Sequence, residues 1–262
     1  MMLEPIQYAL GGGAGVLVGF TLGLVGGGGS ILAVPLMVYL VGVGNPHVAI
    51  GTSAFAVAIN AAVGLFNHAR TGTVKWRCGG MYAAAGVVGA FAGSSLGKMV
   101  GGEKLLFLFA LLMLAIGVLM LRGRGNPGEP GAECTREKAP KVLGFGLGTG
   151  AFSGFFGIGG GFLIVPGLIG STGMPILNAV GTSLVAVTAF GLTTAINYAF
   201  SGLVNWPLAF VFIIGGALGS VGGMKLAHHL AGRTGRLSTI FAGLIFVVAT
   251  YMLFKSASAL LA

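Results

Sequence analysis

Apolar residues run along this chain in stretches broken by short polar turns. Leu105–Leu121 and Leu203–Ile214 contain no ionisable group. Runs of this kind suit the hydrocarbon core of a bilayer, which takes about 20 residues per helix. In the first half the segments span Ile6–Val25, Ile31–Val43, His47–Ala69, Gly79–Gly97 and Lys104–Leu121. In the second they span Val142–Phe156, Phe162–Ile169, Ile176–Phe200, Pro207–Leu226 and Leu237–Phe254. The second segment of each half is short for a crossing, contains a proline and follows a run of glycines. The first two segments therefore predict either two crossings or a hairpin of broken helices that dips in and returns. The pattern as a whole predicts an all-α polytopic membrane protein.

The two halves repeat each other at an offset of about 130 residues. Gly23-Leu-Val-Gly-Gly-Gly-Gly-Ser-Ile-Leu-Ala-Val-Pro35 matches Gly154-Phe-Phe-Gly-Ile-Gly-Gly-Gly-Phe-Leu-Ile-Val-Pro166. Ala49-Ile-Gly-Thr-Ser53 matches Ala179-Val-Gly-Thr-Ser183, Asn67 falls on Asn197, and Gly72-Thr-Val-Lys-Trp76 falls on Gly202-Leu-Val-Asn-Trp206. A polar stretch from Arg122 to Lys141 separates the halves. The reading is a first repeat over 1–121, a linker over 122–141 and a second repeat over 142–262, with five apolar segments in each repeat.

Five crossings, or three plus a hairpin, are both odd, so the second repeat is expected upside down relative to the first. With odd parity, Arg70, Lys75, Arg77, Arg122, Arg124, Arg136, Lys138, Lys141, Lys225, Arg233 and Arg236 share one side. That is eleven of the 14 basic residues. An even repeat would divide them nine to five. The excess of Lys and Arg marks the cytoplasmic side. The expectation is therefore a multi-pass protein of the cell membrane, with the linker inside and both termini outside.

Composition sharpens this picture. Only 7% of the 262 residues are charged, against about 25% in a soluble domain. The net charge of +9 flanks apolar runs and reads as topology, so no nucleic-acid partner is expected. The lipid bilayer is the expected surrounding. There are 51 glycines, and ladders such as Gly86, Gly89, Gly93 and Gly216, Gly219, Gly223 have helical spacing. Small residues let helices approach closely in lipid. Cys78 and Cys134 form no metal or redox spacing and suggest no disulfide framework. Trp76, Trp206, His68 and Arg70 read as interfacial anchors, and His228 and His229 as solvated loop residues.

The chain has no aspartate. Its acids are Glu4, Glu103, Glu129, Glu133 and Glu137, all in the tail or in loops. Cation carriers and proton pumps usually keep a carboxylate within the membrane, so cation transport is disfavoured. Paired acids and nucleophile–base pairs are absent as well, so no enzyme is expected. No metal or cofactor is implied either.

An anion site needs only N–H groups, hydroxyls or amides. Helix N-termini supply the first, with a favourable dipole. The runs Gly26–Ser30 (Gly26, Gly28, Gly29, Ser30) and Gly157–Gly161 (Gly157, Gly159, Gly160, Gly161) sit where such N-termini are expected, ahead of Ile31 and Phe162. The alternative is a tight turn. The hydroxyls of Thr52, Ser53, Thr182 and Ser183 would donate to oxyanion oxygens, or else cap a helix or bond back to the backbone. Asn60, Asn67 and Asn197 would contact the ligand or a neighbouring helix.

Two ordered copies of a Gly-rich run ending in Val-Pro, then Gly-Thr-Ser, then Gly-x-Val-x-Trp, resemble the TauE/SafE sulfite exporter family over roughly residues 7 to 255. The resemblance implies a secondary transporter that exports sulfite or a small organosulfur anion, with substrate contacts at the Gly runs and the Thr-Ser pairs. Ile158 stands where the first copy has Gly27, so the two half-sites are expected to be unequal. Alternating access is the expected mechanism. The alternatives are an anion channel or a carrier for another small anion such as a carboxylate. The oligomeric state is not legible in this sequence.

Overall fold

The computed structural model describes residues 4–122, 134–229 and 234–261, with side chains throughout except at 25–28, 120–122, 224, 227–229, 234–241 and 259–261. Most of the expected linker, with Arg124, Glu129 and Glu133, therefore lies outside the described residues, as do Arg233 and the side chains of His228 and His229. Among the described residues all regular structure is helical. The first half holds α1 (Pro5–Val25), α2 (Ala33–Pro35), α3 (Pro46–Arg70), α4 (Trp76–Met99) and α5 (Gly102–Arg122). The second holds α6 (Ala139–Phe156), α7 (Gly161–Thr172), α8 (Ile176–Ala199), α9 (Trp206–His229) and α10 (Thr234–Leu261).

Five of these helices hold stretches long and apolar enough to cross a membrane: Pro5–Leu24, Pro46–Arg70, Gly102–Leu119, Ile176–Ala199 and Trp206–Gly223. Large apolar side chains stay exposed on the outer faces, among them Val88, Phe91 and Leu96 on α4 and Phe210, Ile214 and Leu218 on α9. Trp76 and Trp206 are exposed as well. A surface so greasy is at home against lipid chains.

The short second segments behave as hairpin partners. At 12 residues, α7 rises about 18 Å, well under the roughly 30 Å hydrocarbon core. Its C-terminal end comes back to the start of α6, where the Lys138 ammonium donates to the Thr172 carbonyl at 2.9 Å. In the first half the Gln7 amide, near the start of α1, donates to the carbonyls of Val41 and Gly42 at 3.1 and 3.3 Å. One expectation fails here. No free helix begins at Ile31. The first glycine run itself folds as a 3-10 helix, Gly26–Leu32, which leads into α2 and then a π-helical turn, Leu36–Leu40.

The halves interlock. The first helix of each half packs along the fourth helix of the other, α1 on α9 and α4 on α6. Glycine makes both contacts possible. A Cβ on Gly15 or Gly19 would collide with the backbone of Phe212 or Gly216, and one on Gly219 or Gly223 with the carbonyl of Val16 or Phe20. The α4/α6 ladder repeats the arrangement: Gly89, Gly93 and Gly97 press on the carbonyls of Leu147, Ala151 and Phe155, while Gly146, Gly150 and Gly154 press on those of Tyr82, Gly86 and Ala90. Residue numbers climb together in both ladders, so each pair runs parallel. Between the ladders, α3 packs on α8, and α5 packs on α10.

The α4/α6 pairing also corrects the reading of the cysteines. Cys78 and Cys134 are bonded, with their Cα atoms 5.5 Å apart. They lie 56 residues apart in sequence, and no spacing announces the bond. The parallel ladder sets the start of α4 beside the approach to α6 and so brings them together.

These ladders predict a sharp contrast between glycines. Gly19→Ala should cost about 1–3 kcal/mol by overpacking, whereas Gly13→Ala, where nothing lies within 4 Å of the added carbon, should be near neutral. Thermal unfolding in detergent measures the difference.

Candidate functional site

The two Gly-Thr-Ser triplets lie fully buried where α3 and α8 meet the turns of the opposite half. Thr52 Oγ1 accepts from the Asn205 N–H at 2.9 Å. Thr182 Oγ1 accepts from the Lys75 N–H at 2.9 Å. Thr52 stands near the start of α3 and Asn205 just beyond the end of α8, and Thr182 and Lys75 are placed in the converse way. Each helix therefore begins where the other ends, so α3 and α8 run antiparallel. Ser53 and Ser183 donate back to Ile50 O and Val180 O, at 3.1 and 2.7 Å. The hydroxyls of both triplets are thus engaged within the protein, the threonines as anchors between halves and the serines on their own helices.

The second glycine run makes a turn that only glycine adopts readily. Gly157, Gly159 and Gly160 all have φ near +66°, in the left-handed region that side chains avoid. Gly160 caps α7 with no side-chain hydrogen bond. The Gly160 carbonyl accepts from the N–H groups of Leu163 and Ile164, at 2.9 and 3.0 Å, and so starts the helix. A Cβ on Gly160 would meet Ser153, whose Oγ is buried and without a partner. A Cβ on Gly159 would meet Val57 of α3 and Val187 of α8, which are matched positions of the two repeats. The turn therefore sits at the centre of the molecule. The 3-10 helix of the first run packs against α7, with Gly26 and Gly28 in it, Gly29 set against Thr21 and Leu22, and Ser30 buried.

The three asparagines have different fates. Asn60 is 6% exposed, and both its amide nitrogen and its amide oxygen lack partners. It lines a cavity of about 30 Å³ between the halves, formed by Leu22 and Gly23 of α1, Asn60, Gly64, Asn67 and His68 of α3, Leu184 of α8 and Ser220 of α9. A volume of that order admits a water molecule or two. Gly216 of α9 lies so close to Asn60 that a Cβ there would strike the amide. Asn197, by contrast, is held in a network with Lys98, Ser94 and Ser95.

Repeat matching shows how the two halves differ at the cavity. Asn60 falls on Phe190 and Gly216 on Gly86. Phe190 fills the matched position, lying against Gly86 and stacking on Tyr82 at 6.4 Å between ring centroids. A small amide in one half thus leaves space where an aromatic ring closes it in the other. Among the described residues no carboxylate enters this interior: Glu4, Glu103 and Glu137 are exposed, and no group of His, Cys, Asp and Glu side chains there is fit to hold a metal. Ser153, Ser220 and Lys98 escaped the sequence reading. Their one signal is being polar within otherwise apolar helices.

A buried Gly-lined turn, interlocked repeats and, among the described residues, an interior without carboxylates stand together in this chain, and the sulfite exporter TauE/SafE family model matches it over residues 12–252. The chain belongs to that family. It is a membrane-embedded transporter protein. It is 51% identical over 258 residues to a probable membrane transporter protein of Xylella fastidiosa (strain Temecula1), covering 95% of this chain and 96% of the relative. It is 27% identical over 219 residues to the probable membrane transporter protein YdhB of Bacillus subtilis (strain 168), covering 81% and 87%. To the probable membrane transporter protein MJ0441 of Methanocaldococcus jannaschii it is 26% identical over 256 residues, covering 91% and 94%. No solved structure matches it significantly.

The TauE/SafE chain carries two unpaired buried amide atoms at Asn60, which packing alone would not retain. Asn60→Leu should raise stability by about 1–3 kcal/mol, the cost of leaving such atoms unsatisfied, as read by thermal unfolding. Thr182→Val should lower it by a similar amount, because the Lys75 N–H loses its acceptor.

Proposed function

We propose that this protein exports sulfite or a small organosulfur anion across the cell membrane by alternating access. The observation that carries the reading is a pair of buried polar groups without partners, the Asn60 amide and the Ser153 hydroxyl, beside the glycine turn that opens α7, in an interior that no carboxylate enters among the described residues. Such a set suits an anion and offers a cation little. Asn60 and Asn67 receive the anion in the cavity, and the glycine turns at the centre pass it between halves. The hydroxyls of Thr52 and Thr182 hold the two repeats around that route, and those of Ser53 and Ser183 flank it. A sulfur oxyanion is larger than the cavity, so binding requires the walls, Leu184 first, to move apart.

The repeats are read as inverted. Antiparallel α3 and α8, and parallel pairing of the first helix of each half with the fourth of the other, support this arrangement, which recurs in secondary transporters with midplane sites. The basic face with Arg70, Lys75 and Arg77 is read as cytoplasmic, with the linker inside and both termini outside.

Two measurements test the reading. A ligand that binds only the folded state stabilises it by mass action. Sulfite, thiosulfate or sulfoacetate should give a saturable thermal shift that phosphate and chloride do not, and Asn60→Leu should abolish it. No shift with any anion would remove the anion reading. For topology, cytosolic thiols stay reduced, so a basic face inside the cell predicts that Cys78 and Cys134 are trapped as free thiols in intact cells. A bond found intact there would turn this face outward and reverse the orientation.

A further inference from the structure

The four cavity-lining residues of α3, Asn60, Gly64, Asn67 and His68, fall on Phe190, Thr194, Asn197 and Tyr198 of α8. Because α3 and α8 run antiparallel, the α8 set faces the opposite mouth of the protein. There the cavity has a shut counterpart. Phe190 fills the space, and Thr194 is fully buried with its hydroxyl unpartnered. Asn197, one turn further out, is tied down completely.

Its amide nitrogen donates to Ser94 Oγ at 2.6 Å and to Ser95 Oγ at 3.0 Å. Both serines in turn donate to the Phe91 carbonyl, at 3.0 and 2.9 Å. The Lys98 ammonium donates to Asn197 Oδ1 at 2.8 Å, to the Asn197 carbonyl at 3.0 Å and to Ser201 Oγ at 2.9 Å. All three ammonium hydrogens are used, and all on neutral acceptors. These bonds join α4 of the first half to the end of α8 in the second. At the other mouth the matched Asn67 has no side-chain partner among the described residues and lines the open cavity.

We propose that Lys98, Ser94, Ser95, Asn197 and Ser201 form a latch that shuts the pathway at the mouth opposite the cavity. Its use in transport rests on the alternating-access reading above, whereas the closure itself does not. A latch of this chemistry is reversible. Its acceptors carry no charge, so opening separates no ion pair, and water or a passing anion can take over the ammonium hydrogens. The unpartnered Thr194 hydroxyl marks the polar lining that the latch hides.

The test is accessibility behind the latch. Thr194→Cys is a nearly isosteric reporter outside the network. In lipid nanodiscs, a charged water-soluble maleimide reaches both mouths of the protein. Its labelling rate, above the background of the chain without the reporter, should be low. Adding Lys98→Ala should raise it at least about tenfold, and adding Ser201→Ala, which removes one of three acceptors, should raise it less. Adding Lys104→Ala, an exposed cation outside the network, should leave it unchanged. An unchanged rate in folded Lys98→Ala and Ser201→Ala proteins, checked by size exclusion and circular dichroism, would overturn the latch. So would equal acceleration by Lys104→Ala. The sulfur-anion thermal shift is read separately on the same proteins. Accelerated labelling with no anion shift would keep the latch and remove the anion reading, and the converse would do the opposite.

Discussion

Close backbone contact between helices of opposite halves is the constraint on which this structure depends. In lipid, apolar side chains gain little by leaving their surroundings, so association relies on tight packing. The two glycine ladders supply it, α1 against α9 and α4 against α6. They also fix topology, because each pairs the first helix of one half with the fourth helix of the other. The two sequence repeats are therefore interwoven in space. α3 and α8 are left in the middle, and the cavity, the glycine turn and the Asn197 network all take their places from that pair.

Polar groups in this interior follow a consistent economy. Most hydroxyls bond back to a carbonyl three or four residues earlier, as Ser53, Ser183 and Thr188 do. Thr52 and Thr182 instead accept an N–H across the halves. The buried side chains with unpartnered atoms, His47, Asn60, Ser153, Thr194 and Tyr198, lie on α3 and α8 and beside the glycine turn. A buried polar atom without a partner costs free energy, and its persistence near the centre of a transporter accords with a ligand or water supplying the missing bonds.

Much of the fold was legible because lipid simplifies the code. The long apolar runs located the helices to within a few residues; α8 was expected at Ile176–Phe200 and ends at Ala199. The glycine spacing pointed to close helix packing, though not to which helices meet. Three features were not legible. The first glycine run winds as a 3-10 helix, a choice set by tertiary packing that composition does not encode. The Cys78–Cys134 bond depends on which helices become neighbours. Lys98 looked like one more flanking charge, since its role comes from Asn197, 99 residues away. The Thr-Ser pairs drew attention as hydroxyls repeated in both halves; the threonines accept an N–H across the halves and the serines donate to their own helices, while the less conspicuous Asn60 lines the cavity.

The exchange of Asn60 for Phe190 at matched positions has an energetic meaning. Two identical halves related by an in-plane twofold axis would make the two facing arrangements degenerate, each occupied half the time. Under the alternating-access proposal, an aromatic ring stacked on Tyr82 on one side, and an amide beside a void on the other, would lift that degeneracy. A bias of about 1.4 kcal/mol already gives a tenfold excess of one arrangement. A duplicated chain can thus acquire a resting direction from a single departure between its copies.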